Sequence, residues 1–200
     1  MGKFGYAEIF IITTIPWIDD KMNKYFKNHR TLYLAIGTAL AMSLYVKFIL
    51  VPYSRCFTLD AGTNSLGFSF YYTIDMVQNF FESRTRMQLL CYNQFLQIWD
   101  TIFALVYTLM YVSWIMYFFK NKRLFLIIPI LTMIADWAEN YVESLMLKTY
   151  LNSSSISETL VSLGSGINSL KWSLLILTYL IIFIGIMNTL KLFLTKPKLN

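Results

Sequence analysis

The sequence predicts an all-α integral membrane protein: a four-helix transmembrane bundle with a small extracytoplasmic helical cap and both termini in the cytoplasm. Three observations predict it. Of the 200 residues, 56% are hydrophobic and only 14% charged, where soluble domains are about a quarter charged. Four stretches supply the roughly 20 mostly apolar residues that a bilayer crossing needs, at 31–51, 98–119, 124–147 and 171–191. Lysine and arginine fall unevenly on the segments between those stretches.

That unevenness orients the bundle, because short cytoplasmic flanks carry the excess of basic residues. Lys3, Lys21, Lys24, Lys27 and Arg30 precede the first span, Lys120, Lys122 and Arg123 join the second to the third, and Lys191, Lys196 and Lys198 follow the fourth. These eleven stand against five on the other side, Arg55, Arg84, Arg86, Lys148 and Lys171. Topology therefore accounts for the net charge of +6, and no direct nucleic-acid partner is needed. The flanks Lys21, Lys24, Lys27, Arg30, Lys120, Lys122 and Arg123 suit anionic lipid headgroups or a docked cytoplasmic protein. Residues 1–30 read as a cytoplasmic or interfacial segment, since the apolar run at 9–18 is too short to cross and contains Pro16. Residues 31–200 read as one four-span membrane domain.

Each span has its own character. The first is apolar except for Lys47, and 101–119 and 172–190 carry no charge at all. The third runs apolar to Ala135 and then carries Asp136, Glu139, Asn140 and Glu143. Their spacing of i, i+3, i+4, i+7 puts them on one helix face. Asp100, Tyr107 and Tyr111 align in the same way on the second span. Counted at 1.5 Å per residue from the cytoplasmic ends, Lys47 lies about 26 Å up, Asp136 about 20 Å, Glu139 about 24 Å, and Asp100 and Lys171 about 30 Å. The expectation is one polar layer in the outer half. A carboxylate facing lipid is costly, so these faces should point into the bundle. Lys47 is the expected counter-ion for Asp136 or Glu139, with Arg55, Arg84, Arg86 and Lys171 closing the layer from above.

The cap is residues 52–97. Its start, Cys56-Phe57-Thr58-Leu59-Asp60, alternates like a short strand, and 61–67 reads as a turn. A helix begins near Ile74, breaks at 83–86, and a second helix runs from about Met87 into the second span. Cys56 and Cys91 sit at opposite ends of this piece. A bridge between them is one reading in an oxidising compartment; two separately buried thiols are the other.

Most chemistries are excluded. One His and two Cys do not make a zinc or iron–sulfur centre, so no metal or cofactor is expected. No Cys-x-x-Cys pair supports thiol exchange. His29 stands alone, and Gly164-Ser165-Gly166, placed in an outer loop, lacks the Lys of a phosphate-binding loop. The polar layer remains, with three roles open: an ion-pair network fixing helix order, an outward-opening pocket for a lipid headgroup or small polar molecule, or an acid–base or proton path. The favoured function is a non-enzymatic, self-associating membrane sensor or scaffold that senses at the outer face and engages a cytoplasmic protein. The alternative is a small lipid-active enzyme or a ligand or proton carrier using Asp100, Asp136 and Glu139.

Over less than half its length the chain resembles a group of small bacterial four-span membrane proteins of unknown function. The shared features are Phe57 and Asp60, Tyr72-Thr73, Arg86 and Tyr92, Asp100 with Tyr107 and Tyr111 below it, Pro129, and Asp136-x-x-Glu139-Asn140. Phe81-Glu82-Ser83-Arg84 stands where the group has Gly-x-x-Gly-Arg. The resemblance implies a bacterial inner (plasma) membrane. In size and topology alone the chain is similar to the membrane subunit of Kiwa-type anti-phage systems, which implies a place in a defence complex.

Overall fold

The computed structural model describes residues 16–59, 65–120 and 123–195, and these are all-helical. The interfacial segment expected at 9–18 lies for the most part outside them. Helix α1 (Pro16–Tyr45) is the first described element. It runs through a π-helical turn, Val46–Leu50, into the short α2 (Val51–Ser54). The linker that follows holds a 3₁₀ turn at Leu66–Phe68 and helix α3 (Ile74–Glu82), whose first turn is capped by the Thr73 hydroxyl. Helix α4 (Arg86–Gln94) opens on a capping box in which Thr85 and Gln88 satisfy each other's backbone N–H,. A second π turn, Phe95–Asp100, leads into α5 (Thr101–Phe118). Helix α6 (Ile127–Ser153) ends where Ser154 turns left-handed at φ 52°, and Ser157 caps α7 (Glu158–Leu194).

Four rods, Arg30–Ser54, Arg86–Phe118, Arg123–Ser153 and Glu158–Lys191, are long and apolar enough to cross a membrane. Leu40, Leu44, Leu105, Leu109, Phe183 and Ile184 stand exposed along them. An apolar surface of that extent fits a lipid solvent and not water. The main interfaces pair α6 with α7 and α1 with α5, and α5 also packs against α6 and α7. Gly185 allows the last approach: a Cβ there would sit 2.6 Å from the Phe118 ring.

The fourth span departs most from expectation. Its helix starts at Glu158, not near 171, and α6 continues to Ser153. Residues 164–166 are thus helical, not a loop. The 37 residues of α7 measure about 55 Å at 1.5 Å each,, against about 30 Å of hydrocarbon. Helix α7 is therefore longer than such a layer is thick, and the linker wraps one end of the α6–α7 hairpin to form a head. Phe57, Leu66, Tyr72, Val77, Phe80, Phe81, Leu89 and Tyr92 are buried there with Val142, Met146, Leu147 and Val161. The alternation at 56–59 is no strand; Phe57 and Thr58 turn back on the Ser54 carbonyl. Cys56 and Cys91 are joined as a disulfide, with Cα atoms 6.3 Å apart, so the reading of two separate thiols is set aside. The bridge ties the end of the first span to α4.

Candidate functional site

The site lies where the four rods meet the underside of the head. Helix α6 supplies Asp136, Glu139, Asn140 and Glu143, which are 4%, 1%, 5% and 1% exposed. Each turn of the helix thus returns a polar side chain to the same inward face. Lys171 of α7 answers them: its Nζ lies 3.2 Å from Asp136 Oδ1, contacts Glu139 Oε2, and donates to the Gly67 carbonyl at 3.4 Å. From α5, the Tyr107 hydroxyl donates to Asp136 Oδ2 at 2.9 Å. One turn lower, Tyr111 donates to the Tyr179 hydroxyl at 2.7 Å.

Toward the head, the Tyr92 hydroxyl donates to Glu143 Oε2, meets Ser65 Oγ at 2.9 Å, and accepts from the Leu66 N–H at 3.3 Å. A carboxyl group of the third span thereby anchors the linker through one tyrosine. Tyr72, buried on the linker, has its pKa raised by burial first and then by the neighbouring Glu143 and Glu139, so it stays a neutral phenol.

Asp100 closes the π turn before α5, where it faces Asp136, Lys171 and Asn140. A π turn carries one extra residue and leaves carbonyls without their usual partner. Here Tyr45 donates to the Trp99 carbonyl at 2.8 Å, and Thr101 to that of Leu96 at 2.9 Å. The distortion is thus stabilised by side chains, and it sets the direction of Asp100.

Between these groups lies a cavity of about 300 Å³. Its polar end is formed by Asp100, Asp136, Asn140 and Lys171, and its apolar walls include Met42, Leu50, Phe103 and Leu175. Ser65, Gly67 and Phe68 of the linker complete it. Asn140 Nδ2 is buried with no partner in hydrogen-bond geometry.

The other expected site residues fall elsewhere. Lys47 is not the counter-ion: it is exposed, with its ammonium 5.3 Å from the Phe48 ring centre. Depth along the helix placed it at the right level, but the π turn at Val46–Leu50 breaks the 100° phase by which its face would be reckoned. Span α1 also packs on α5 and has no comparable interface with α6. Of the outer basic residues only Lys171 reaches the acids. Arg55 and Arg86 are exposed. Arg84 is buried in the head, donating to the Phe57 and Phe80 carbonyls, each at 2.8 Å, with its guanidinium 3.5 Å over the Phe80 ring. Burial pulls its pKa below the ordinary arginine value. Arg30, Lys120 and Arg123 are exposed, Lys21, Lys24 and Lys27 lie on α1, and Lys122 is outside the described residues.

Sequence reasoning missed the face of α7 that holds the linker. Ser165 accepts from the Tyr72 N–H at 3.1 Å, Ser169 donates to the Phe70 carbonyl at 3.1 Å, and Trp172 donates to the Gly67 carbonyl at 3.1 Å. Asn168 donates to the Ser69 carbonyl. The spacing 165, 168, 169, 172 is itself a helical stripe and was there to be read.

Fold and site define an all-helical chain with four rods long and apolar enough to cross a membrane, and a buried acid–lysine cluster beside a cavity. Comparison with protein-family models, curated proteins and solved structures finds no match to the chain. No group of His, Cys, Asp and Glu among the described residues is placed to hold a metal ion. The arrangement is suited to binding, with fixed charges at one end of an apolar chamber.

Proposed function

We propose that the chain is a non-enzymatic membrane sensor that binds a small amphiphile in this cavity and relays its presence to a cytoplasmic partner. The observation that carries the reading is the make-up of the wall. Residues of all four spans and of the linker line one chamber, so an occupant touches every element whose relative position could change. A charged end and apolar sides match an amphiphile resting partly in the lipid layer.

The head faces outward in this reading and both termini lie in the cytoplasm of a bacterial inner membrane. The distribution of basic residues supports that orientation, as does a disulfide on the head side, since such bonds persist in oxidising compartments. The basic flanks, with Arg30, Lys120 and Arg123 exposed, form the docking face for the partner, and the lipid-facing rods leave ample surface for self-association. A carrier or proton path is less well supported. Near the Tyr111–Tyr179 pair, Ser113 and Thr132 return their hydroxyls to their own helix carbonyls and offer no onward step.

The test is purification from the host in a mild detergent followed by native mass spectrometry. A small molecule retained at about one per chain is expected, lost when Leu175→Trp fills the cavity, together with a stoichiometric cytoplasmic protein. A chain that carries no small molecule, and whose thermal stability is the same with the cavity filled or open, would overturn the reading.

A further inference from the structure

We propose that the occupant of the cavity is an organic cation with an apolar tail, an ammonium-headed amphiphile whose charge pairs with Asp100. The inference rests on the sensor reading and names the chemistry of its ligand.

The first argument is the local charge balance. Four carboxyl groups, Asp100, Asp136, Glu139 and Glu143, share one described cation, Lys171, which contacts Asp136 and Glu139 directly. Lys47 faces away, and Arg84 is engaged with the head's own carbonyls. Burying charge is tolerable when it is paired, and the cluster as built has an excess of acid. A cationic headgroup relieves that excess, whereas an anionic one adds to it.

The second argument is availability. Lys171 is already held by two carboxylates and the Gly67 carbonyl, and the Trp172 N–H is occupied by the same carbonyl. An anion entering the chamber would find both of these donors in use. Asp100 is the acid left open: it lines the cavity and forms no ion pair among the described residues. Beside it lies the buried Asn140 amide, whose nitrogen is turned to Asp100 itself and not to the chamber's occupant.

The third argument is the wall. Phe95, Phe103, Tyr107 and Trp172 line the chamber, and aromatic faces attract cations through their quadrupole. Met42 and Leu175 give the chamber apolar surface for a tail. About 300 Å³ lies at the small end of the range for ligand pockets, which fits a single chain better than a two-chain lipid held whole.

The test uses the full chain in a neutral detergent, with three probes of equal tail length: dodecylamine, dodecanol and dodecanoate. Binding is read by native mass spectrometry and by the shift in Tm. Dodecylamine should bind at least ~10-fold more tightly than the other two. Asp100→Asn should erase that preference, bringing dodecylamine to the affinity of dodecanol, and Leu175→Trp should exclude all three. Dodecanoate binding as tightly as the amine, or an Asp100→Asn chain that keeps the preference, would overturn the cation assignment and leave the cavity reading standing. Failure of every probe to bind, with Leu175→Trp indistinguishable from the natural chain, would overturn both. A final arm separates two sources of the same chemistry. Retention of phosphatidylethanolamine that dodecylamine fails to displace points to a bilayer lipid, and displacement of that lipid by dodecylamine points to a free amine.

Discussion

In the head, aromatic and aliphatic side chains interlock: Phe57 meets Tyr92 at 4.8 Å and Phe95 at 5.0 Å between ring centres, and Phe80 meets Tyr92 at 4.9 Å. In the stem below it, the buried apolar cluster shrinks to Ala104, Tyr107 and Tyr111, and most large apolar side chains face outward. The two regions illustrate different solvents. Apolar burial from water holds a head together, but in lipid that force vanishes, and close packing with polar fasteners must serve instead. The acid–lysine cluster sits at the boundary between the two regimes. The stem is itself uneven, since 11% of the first span's apolar window is buried against 39% of the third's.

The comparison can be broken or sharpened by substitution, and the largest effect belongs to the head. Phe57→Ala should cost about 4 kcal/mol in thermal or chemical unfolding, because Phe57 is 1% exposed and the head has a packed core. Leu109→Ala on the lipid-facing side should fall within about 0.5 kcal/mol, and similar losses at the two positions would erase the distinction. At the boundary, Lys171→Met strands Asp136 and Glu139 and should cost about 3 kcal/mol, checked by detergent-resistant folding. Removing the bridge with Cys56→Ser and Cys91→Ser should cost about 2 kcal/mol, seen as earlier proteolysis of the linker while the spans stay intact. Lys47→Met should be as small as Leu109→Ala, within about 0.5 kcal/mol; a loss equal to that of Lys171→Met would return Lys47 to the cluster.

The sequence was legible where one physical signal acts alone. Hydropathy located the four rods, and the 3.6-residue period put Asp136, Glu139, Asn140 and Glu143 on one buried face. It also placed the linker helix at Ile74 and its break before Arg86. What it did not reveal depends on pairings between segments. Lys171 and Lys47 stand at similar heights, and only the packing order of the helices, with a π turn at Lys47, decides which meets the acids. The upper third of α7 is hard to recognise as part of a span, since 152–169 is rich in Ser, Asn and Gly. Three of those residues, Ser165, Asn168 and Ser169, grip the linker backbone, a role that needs the linker itself to be seen.

The two fastenings of the head differ in when they can close. The disulfide spans 35 residues and needs nothing beyond Cys91. The grip of α7 on the linker joins positions such as Tyr72 and Ser165, 93 apart, or Gly67 and Trp172, 105 apart. During synthesis the first loop can therefore be tied while the third and fourth spans are still unmade. The chamber, whose wall needs Lys171 and Trp172, comes into being only when the last helix arrives.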